Sequence, residues 1–410
     1  MAGIVVGRPA AQSVGAACSA RTLSIVSEAV ERALELSAFW DDALRQELPE
    51  GATVFDAHTH VGSDIDGMFG TDDELLEIMD AYGFSRAFVF CMDEPDRHPA
   101  FSAANDRTLE AAGRSDGRLI PFVRLDLSET PIPEATRCLD LGARGIKLHP
   151  RAQGFQLTDE RLEPVFALAA ERRVPILVHG GRGLPPIADG LGRLVERHPG
   201  AELIIAHAGI ADMAGLARVF SGTAGVFFDT SAWSAIDLLD FHRQSSPEQV
   251  VYASDYPYGQ QPSSLLIAVR TARAAGLDDE QLRNMLAGNA DRIADGLPPL
   301  SPTPPRGSDV FAQPMILARI HGYLSMATPL LWLRHQDTFG VLGLALNACD
   351  ERNGAGHAEE LERIRELLVA ARDLWRTLPE IESDPARATA SRLTFRLLHL
   401  ADIVAVTSSA

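Results

Sequence analysis

Residues 53–64 read TVFDAHTHVGSD. The run begins apolar and ends on two histidines, His58 and His60, one residue apart. On a β-strand, residues i and i+2 point to the same face about 7 Å apart, close enough for two imidazoles to converge on one ion. A helix would splay that spacing. A solvated turn at a strand end also accommodates two histidines, so this stretch alone leaves metal binding and a turn equally open.

Working outward, the same rhythm recurs. Short β-rich apolar runs stand at TVFDAH (53–58), RAFVFC (86–91), LIPFVRL (119–125), ARGIKLH (143–149), VPILVH (174–179), ELIIAH (202–207), GVFFDT (225–230) and VVYASD (250–255). Amphipathic stretches with helical spacing separate them, such as TDDELLEIMDAYG (71–83) and LTDERLEPVFALAAERR (157–173). Eight strand–helix units in about 250 residues predict an α/β fold, a closed (β/α)8 TIM-type barrel. A doubly wound open sheet usually has fewer strands and a glycine-rich phosphate loop after the first. No GxGxxG or GxxxxGK[ST] follows the first strand here.

The flanks differ. Residues 1–50 read as an N-terminal extension, partly helical, with apolar residues at three- and four-residue spacing over 21–48. The barrel is expected over 51–298, a stiff Pro-rich linker over 299–310 within PPLSPTPPRGS, and an all-α C-terminal domain over 311–410. His321, His335, His357 and His399 lie in that last part without ligand spacing and read as core or surface histidines. Both additions could cover the bottom of a barrel, mediate a homo-oligomer or act as a lid.

Composition excludes several classes. A formal charge of −19 argues against nucleic acid or an anionic membrane as partner, because both require a basic face. No stretch approaches the ~20 apolar residues that span a bilayer. Four dispersed cysteines suggest neither a disulfide framework nor a thiolate metal site, and a reducing cytoplasm is the expected compartment. GRSDG (113–117) matches GxSxG but precedes an apolar strand run instead of following one, so it is no nucleophile elbow and serine-hydrolase chemistry has no support.

The chemistry concentrates where strands end. Strand one ends in His58-Thr59-His60, strand four in Lys147-Leu148-His149, strand five in His179, strand six in His207 and strand eight in Asp255. A closed barrel gathers such ends around one mouth. Two imidazoles from strand one, a third from strand five and a carboxylate from strand eight make a nitrogen and oxygen ligand set that suits zinc, with manganese, iron or cobalt also open. Arg124, Lys147, Arg151 and Arg182 are basic groups expected at that mouth, and Lys147 and His149 share a strand face. On so acidic a chain they suggest a carboxylate-bearing small-molecule substrate, ordinary loop salt bridges being the plain alternative. Trp233 and Tyr258 could shape a pocket wall or pack against loops, His98 reads as a surface residue, and Asn289 as structural.

DAHTH, GIKLHP, VHGG, AHAG and ASDYP, followed by AGNADRI (287–293), resemble the amidohydrolase superfamily. They look most like its amidohydrolase-related branch, which includes the aminocarboxymuconate-semialdehyde decarboxylase-like enzymes. The resemblance implies that His58, His60, His179 and Asp255 hold a divalent metal, zinc foremost, with His207 as a proton carrier or second-site ligand. Such an ion lowers the pKa of bound water to ~7, and Asp255 could take the proton. In binuclear branches a lysine at the position of Lys147 is carbamylated and bridges two ions; one ion is favoured here, with Lys147 contacting substrate. The expected function is metal-dependent hydrolysis of a C–N or C–O bond in a small, anionic substrate. Non-oxidative decarboxylation is the alternative within enzymes, and a non-catalytic barrel scaffold with a helical interaction domain is the alternative outside them.

Overall fold

The structure, a computed structural model, describes residues 28–259, 261–306, 312–332, 338–351, 356–381 and 384–408. Each apolar run carries a strand: β1 (Val54–Ser63), β3 (Phe84–Cys91), β4 (Leu119–Arg124), β5 (Gly145–Leu148), β6 (Ile176–Val178), β7 (Leu203–Ile205), β8 (Val226–Asp229) and β9 (Val250–Val251). A two-residue β2 (Phe69–Gly70) is the one strand outside those runs among the described residues. The sheet order is β2-β1-β3-β4-β5-β6-β7-β8-β9, with β2 antiparallel to β1 and every other pairing parallel.

The sheet closes on itself. The Ala57 N–H donates to Tyr252 O at 2.9 Å, the His60 N–H to Tyr256 O at 2.7 Å, and the Asp255 N–H to His58 O at 2.9 Å. These bonds join the chain just past β9 to β1, so the mouth histidines and Asp255 belong to one seam.

Period-two alternation sorts the strand residues. Phe55, Phe88, Phe90, Phe122, Leu177, Ile204 and Phe227 fill the barrel interior. Val54, Val89, Val123, Ile146, Val178, Ile205 and Phe228 face the surrounding helices. Burying each of these large side chains contributes roughly 2 kcal/mol of transfer free energy. Strand β1 breaks the alternation: Asp56 pairs with Ala87 and Thr59 with Val89, three steps on β1 against two on β3. This bulge reverses the parity of the strand, so Phe55 and Ala57 point inward below it while His60, paired with Phe90, points inward above it.

Helices surround the barrel. The first, Asp72–Tyr82, is capped by Thr71, whose side chain accepts from Glu74 N at 3.1 Å, and ends on left-handed Gly83. An N-terminal helix spans Glu28–Glu47 and stops one residue short of the pattern read over 21–48, of which residues 21–27 lie outside the described residues. Residues 298–306 have no regular structure, and helices Met315–Trp332, Thr338–Cys349, Ala358–Thr377 and Asp384–Thr407 make the C-terminal region all-helical. The N-terminal helix links the two parts. Arg270 of a barrel helix pairs with Glu47 at 2.6 Å and stacks on Trp40, while Arg396 of the last helix pairs with buried Asp41, which also accepts from the Tyr82 hydroxyl at 3.0 Å. No helix among the described residues is long and apolar enough to cross a membrane.

Candidate active site

The carboxyl ends of β1, β5, β6, β7, β8 and β9 put their polar side chains into one buried cluster. Its organising group is Asp229, at the end of β8. One carboxylate oxygen lies 2.7 Å from His58 Nδ1, and the other accepts from the His207 backbone N–H at 2.8 Å. An ionised carboxylate only accepts, so His58 Nδ1 carries the proton and Nε2 presents a lone pair to the cavity. Around that nitrogen stand His60 Nε2 at 3.2 Å, Asp255 Oδ1 at 3.2 Å and Lys147 Nζ at 3.1 Å. Asp255 Oδ1 is also 3.3 Å from His60 Nε2.

His207 closes the other side. Its Nδ1 is 3.1 Å from the Ser231 carbonyl, an acceptor, which leaves Nε2 as the basic nitrogen, 2.9 Å from His179 Nδ1. Ligand atoms of His58, His207 and Asp255 all lie within 4.8 Å of one another. His149 stacks on His179 with ring centroids 3.9 Å apart.

Burial sets the charge states. It pulls His58, His60, His149, His179 and His207 below the usual imidazole range, with Lys147 adding to the effect, so these rings are neutral lone-pair donors. The same desolvation pushes the Asp255 carboxyl up and draws the Lys147 amine down to about 7, against the pull of Asp255 and Asp229. Unprotonated imidazole nitrogens and a carboxylate crowded within 3.3 Å have few protons to share. A divalent cation satisfies such a set, and the Asp229–His58 pair is the outer bond that orients a metal-ligating imidazole. The residues present therefore fit a metal.

Backbone strain marks the same places. His207, Ala208 and Asp255 have φ of 59°, 55° and 62°, left-handed values costing about 1 kcal/mol or more each without glycine. Two glycines permit the approach. A Cβ on Gly181 would lie 2.7 Å from His179 Nε2, and one on Gly259 would lie 1.9 Å from Ser254 O in the turn after Asp255.

Residues 55–293 match the amidohydrolase family model, more than half of the chain. The chain belongs to the amidohydrolase family. Solved structures similar to this amidohydrolase include IDCase of Metarhizium anisopliae in apo form, 16% identical with a TM-score of 0.45, the match covering 60% of this chain and 97% of that one. A Pseudomonas putida protein provisionally named a 2-pyrone-4,6-dicarboxylic acid hydrolase is 22% identical, with a TM-score of 0.45 over 60% of this chain and 98% of its own. The 4-oxalomesaconate hydratase of Rhodopseudomonas palustris is 18% identical, with a TM-score of 0.45 over 59% and 95%. No curated protein matches the chain.

Around the donor cluster the amidohydrolase opens a cavity of about 990 Å³ that every residue proposed from sequence lines: His58, His60, Arg124, Lys147, His149, Arg151, His179, Arg182, His207 and Asp255. Their settings differ. Lys147 lies within the donor cluster itself, over the Phe90 ring. Arg124 is 2% exposed, and its Nε and Nη2 have no hydrogen-bond partner, Asp93 Oδ1 being 3.8 Å from Nη2. Arg151 and Arg182 stand exposed at the rim, where Arg182 pairs with Asp237. Trp233 and Tyr258 also line the cavity, and exposed His98 pairs instead with Glu129 at 3.0 Å. Asn289 donates to Val250 O at 2.8 Å and ties the last barrel helix to β9.

Three contributions escaped the sequence reading. Asp229 and Ser231 follow β8 in FDTS, a strand end like those that were singled out, and position alone could have flagged them. Asp56, fully buried, accepts from Ser254 N at 2.9 Å and from His58 N at 3.2 Å, pinning the seam below the site. Ser325, His399 and Asp402 of the C-terminal helices line the cavity, so His399 belongs to the cavity wall; of the histidines read as core or surface there, His335 lies outside the described residues.

Proposed function

We propose that this amidohydrolase is a metal-dependent hydrolase in which His58, His60, His179 and Asp255 hold a single divalent ion, zinc foremost. It would cleave a C–O or C–N bond of a small carboxylate-bearing substrate. The observation that carries the reading is the convergence of His58 Nε2, His60 Nε2 and Asp255 Oδ1 within 3.3 Å, with His58 oriented from behind by Asp229. When bound, the ion supplies Lewis acidity, lowering the pKa of water toward ~7 and polarising a carbonyl.

The chain's own groups do the rest. Asp255 Oδ1, 3.2 Å from His58 Nε2 and 3.3 Å from His60 Nε2, is placed to accept a proton beside the ion, and His207 Nε2 is held as a neutral base by the Ser231 carbonyl on Nδ1. Together they can take a proton from the nucleophile and return it to the leaving group. Buried Arg124, with two nitrogens lacking hydrogen-bond partners, is a waiting cation for a substrate carboxylate, and His149 stacked on His179 keeps the wall beside it planar.

Arg124 also favours a second reading, non-oxidative decarboxylation, in which a carboxylate held near the donor cluster departs as carbon dioxide and the electron pair left on carbon takes a proton relayed from water through His207 Nε2. Protein purified without chelator and loaded with zinc, manganese or cobalt is tested on lactones and amides bearing a carboxylate. One equivalent of acid per lactone cleaved, with about one ion per chain, is the expected outcome. Carbon dioxide evolved from a carboxylated substrate, with no hydrolysis in the panel, would replace the first reading by the second.

A further inference from the structure

The donor cluster fills one end of the space above the barrel. The main cavity runs on into a second of about 550 Å³, and Trp233, Tyr258, Thr328, Pro329 and His399 line both. Its far walls come from Ile267 of a barrel helix and from Phe395 and Ile403 of the last helix of the chain. Ser263 also lines it, and its buried hydroxyl has no hydrogen-bond partner. Arg392 reaches the same wall but is engaged with Phe69 and Glu74.

Water fills such a space poorly: molecules against a mainly apolar wall give up hydrogen bonds there, so an apolar group that displaces them gains free energy. It also stands in contrast to the first cavity, where the donor cluster and charged side chains of both signs line the wall. A molecule filling both must be polar at one end and apolar at the other.

We propose that the second cavity is a subsite for the apolar tail of the substrate, which is a two-ended acid: a carboxylate-bearing head at the donor cluster and an aliphatic or aryl tail between Ile267, Phe395 and Ile403. The appended helices thus determine specificity, since Thr328, Pro329, Phe395 and Ile403 all come from them. The head rests on the proposed function; the tail subsite does not depend on the reaction.

The test is a chain-length series on the full-length, metal-loaded protein, with straight-chain carboxylates from acetate to decanoate titrated by calorimetry and 1-alkanols of the same lengths in parallel. Burial of each methylene tightens binding by about fourfold until the cavity is full, and then the gain stops. Ser263→Leu occupies tail volume and brings that plateau to a shorter chain; Met68→Trp, a substitution at the half-buried rim, does the same if the first variant folds poorly. Acetate binding with an affinity that is flat along the series overturns the tail subsite and leaves the proposed function standing. Alkanols that follow the slope while no carboxylate binds support the subsite and sink the anionic head. Failure of both series overturns both.

Discussion

The barrel mouth and the appended helices bury charge in opposite ways. Between the helices, ionic groups meet an opposite charge directly: Arg396, though its Nε lacks a hydrogen-bond partner, pairs with buried Asp41, which also holds the Tyr82 hydroxyl, and half-buried His321 Nδ1 lies 2.6 Å from Asp402 Oδ1. At the mouth they are mismatched. Lys147 and neutral imidazoles crowd Asp255, and Arg124 keeps two nitrogens without hydrogen-bond partners. Matched charges fix an arrangement of helices; mismatched ones await a ligand. The contrast separates residues that hold the molecule together from residues that act.

The largest effect should come from removing a mouth group. His58→Ala should lower metal affinity by about a thousandfold or more, read by elemental analysis after dialysis, because a ligand and its Asp229 support are lost together. Its urea midpoint without metal should not fall, since the substitution relieves crowding. A marked loss of stability with metal content intact would reverse the assignment of that cluster. Arg396→Met should behave the other way, costing about 3 kcal/mol in urea unfolding by leaving Asp41 buried without its cation, while metal content stays at the wild-type level. Asp229→Asn falls between the two regions in kind and below both in size: a 10- to 100-fold weaker metal affinity with little change in fold, because an amide keeps an oxygen for the His207 and Ser231 N–H groups and changes chiefly how His58 is oriented.

Legibility in the sequence followed the range of the interactions. Strand runs and their terminal His58, His60, His207 and Asp255 could be read because period-two burial and barrel closure repeat locally, eight times over. The bulge between Asp56 and Thr59 left no trace in composition, although it decides which way β1 faces at the site. Asp229 ended a strand run like the residues that were read, but nothing along the chain showed what it does, since His58 and His207 lie 171 and 22 positions away in sequence. The place of Ser325, His399 and Asp402 on the cavity was beyond any pattern along the chain, because helical spacing gives a face but not what that face meets.

The smallest effect expected carries the comparison beyond the mouth, setting a histidine on a helix of the barrel against one on the appended helices. His242, on the barrel helix Ala235–Gln244, is held by burial at about 3, and neither of its ring nitrogens has a hydrogen-bond partner. Its folded value lies below the unfolded one near 6.5, so unfolding takes up a proton at acid pH, and its contribution to stability is lost as pH falls from about 6.5 toward 3. His321 has the reverse sign. Burial alone would lower it, but the Asp402 hydrogen bond and charge, with the field of Asp237, raise it above 6.5. A raised folded value means that its contribution is fully present below 6.5 and is lost as pH climbs through the higher folded value. Urea midpoints measured against pH should therefore lose their acid limb in part with His242→Phe and their near-neutral alkaline decline in part with His321→Gln. If His321→Gln leaves the alkaline side of the wild-type curve unchanged, the pair with Asp402 does not hold charge, and the picture of matched charges between the helices loses one of its two supports.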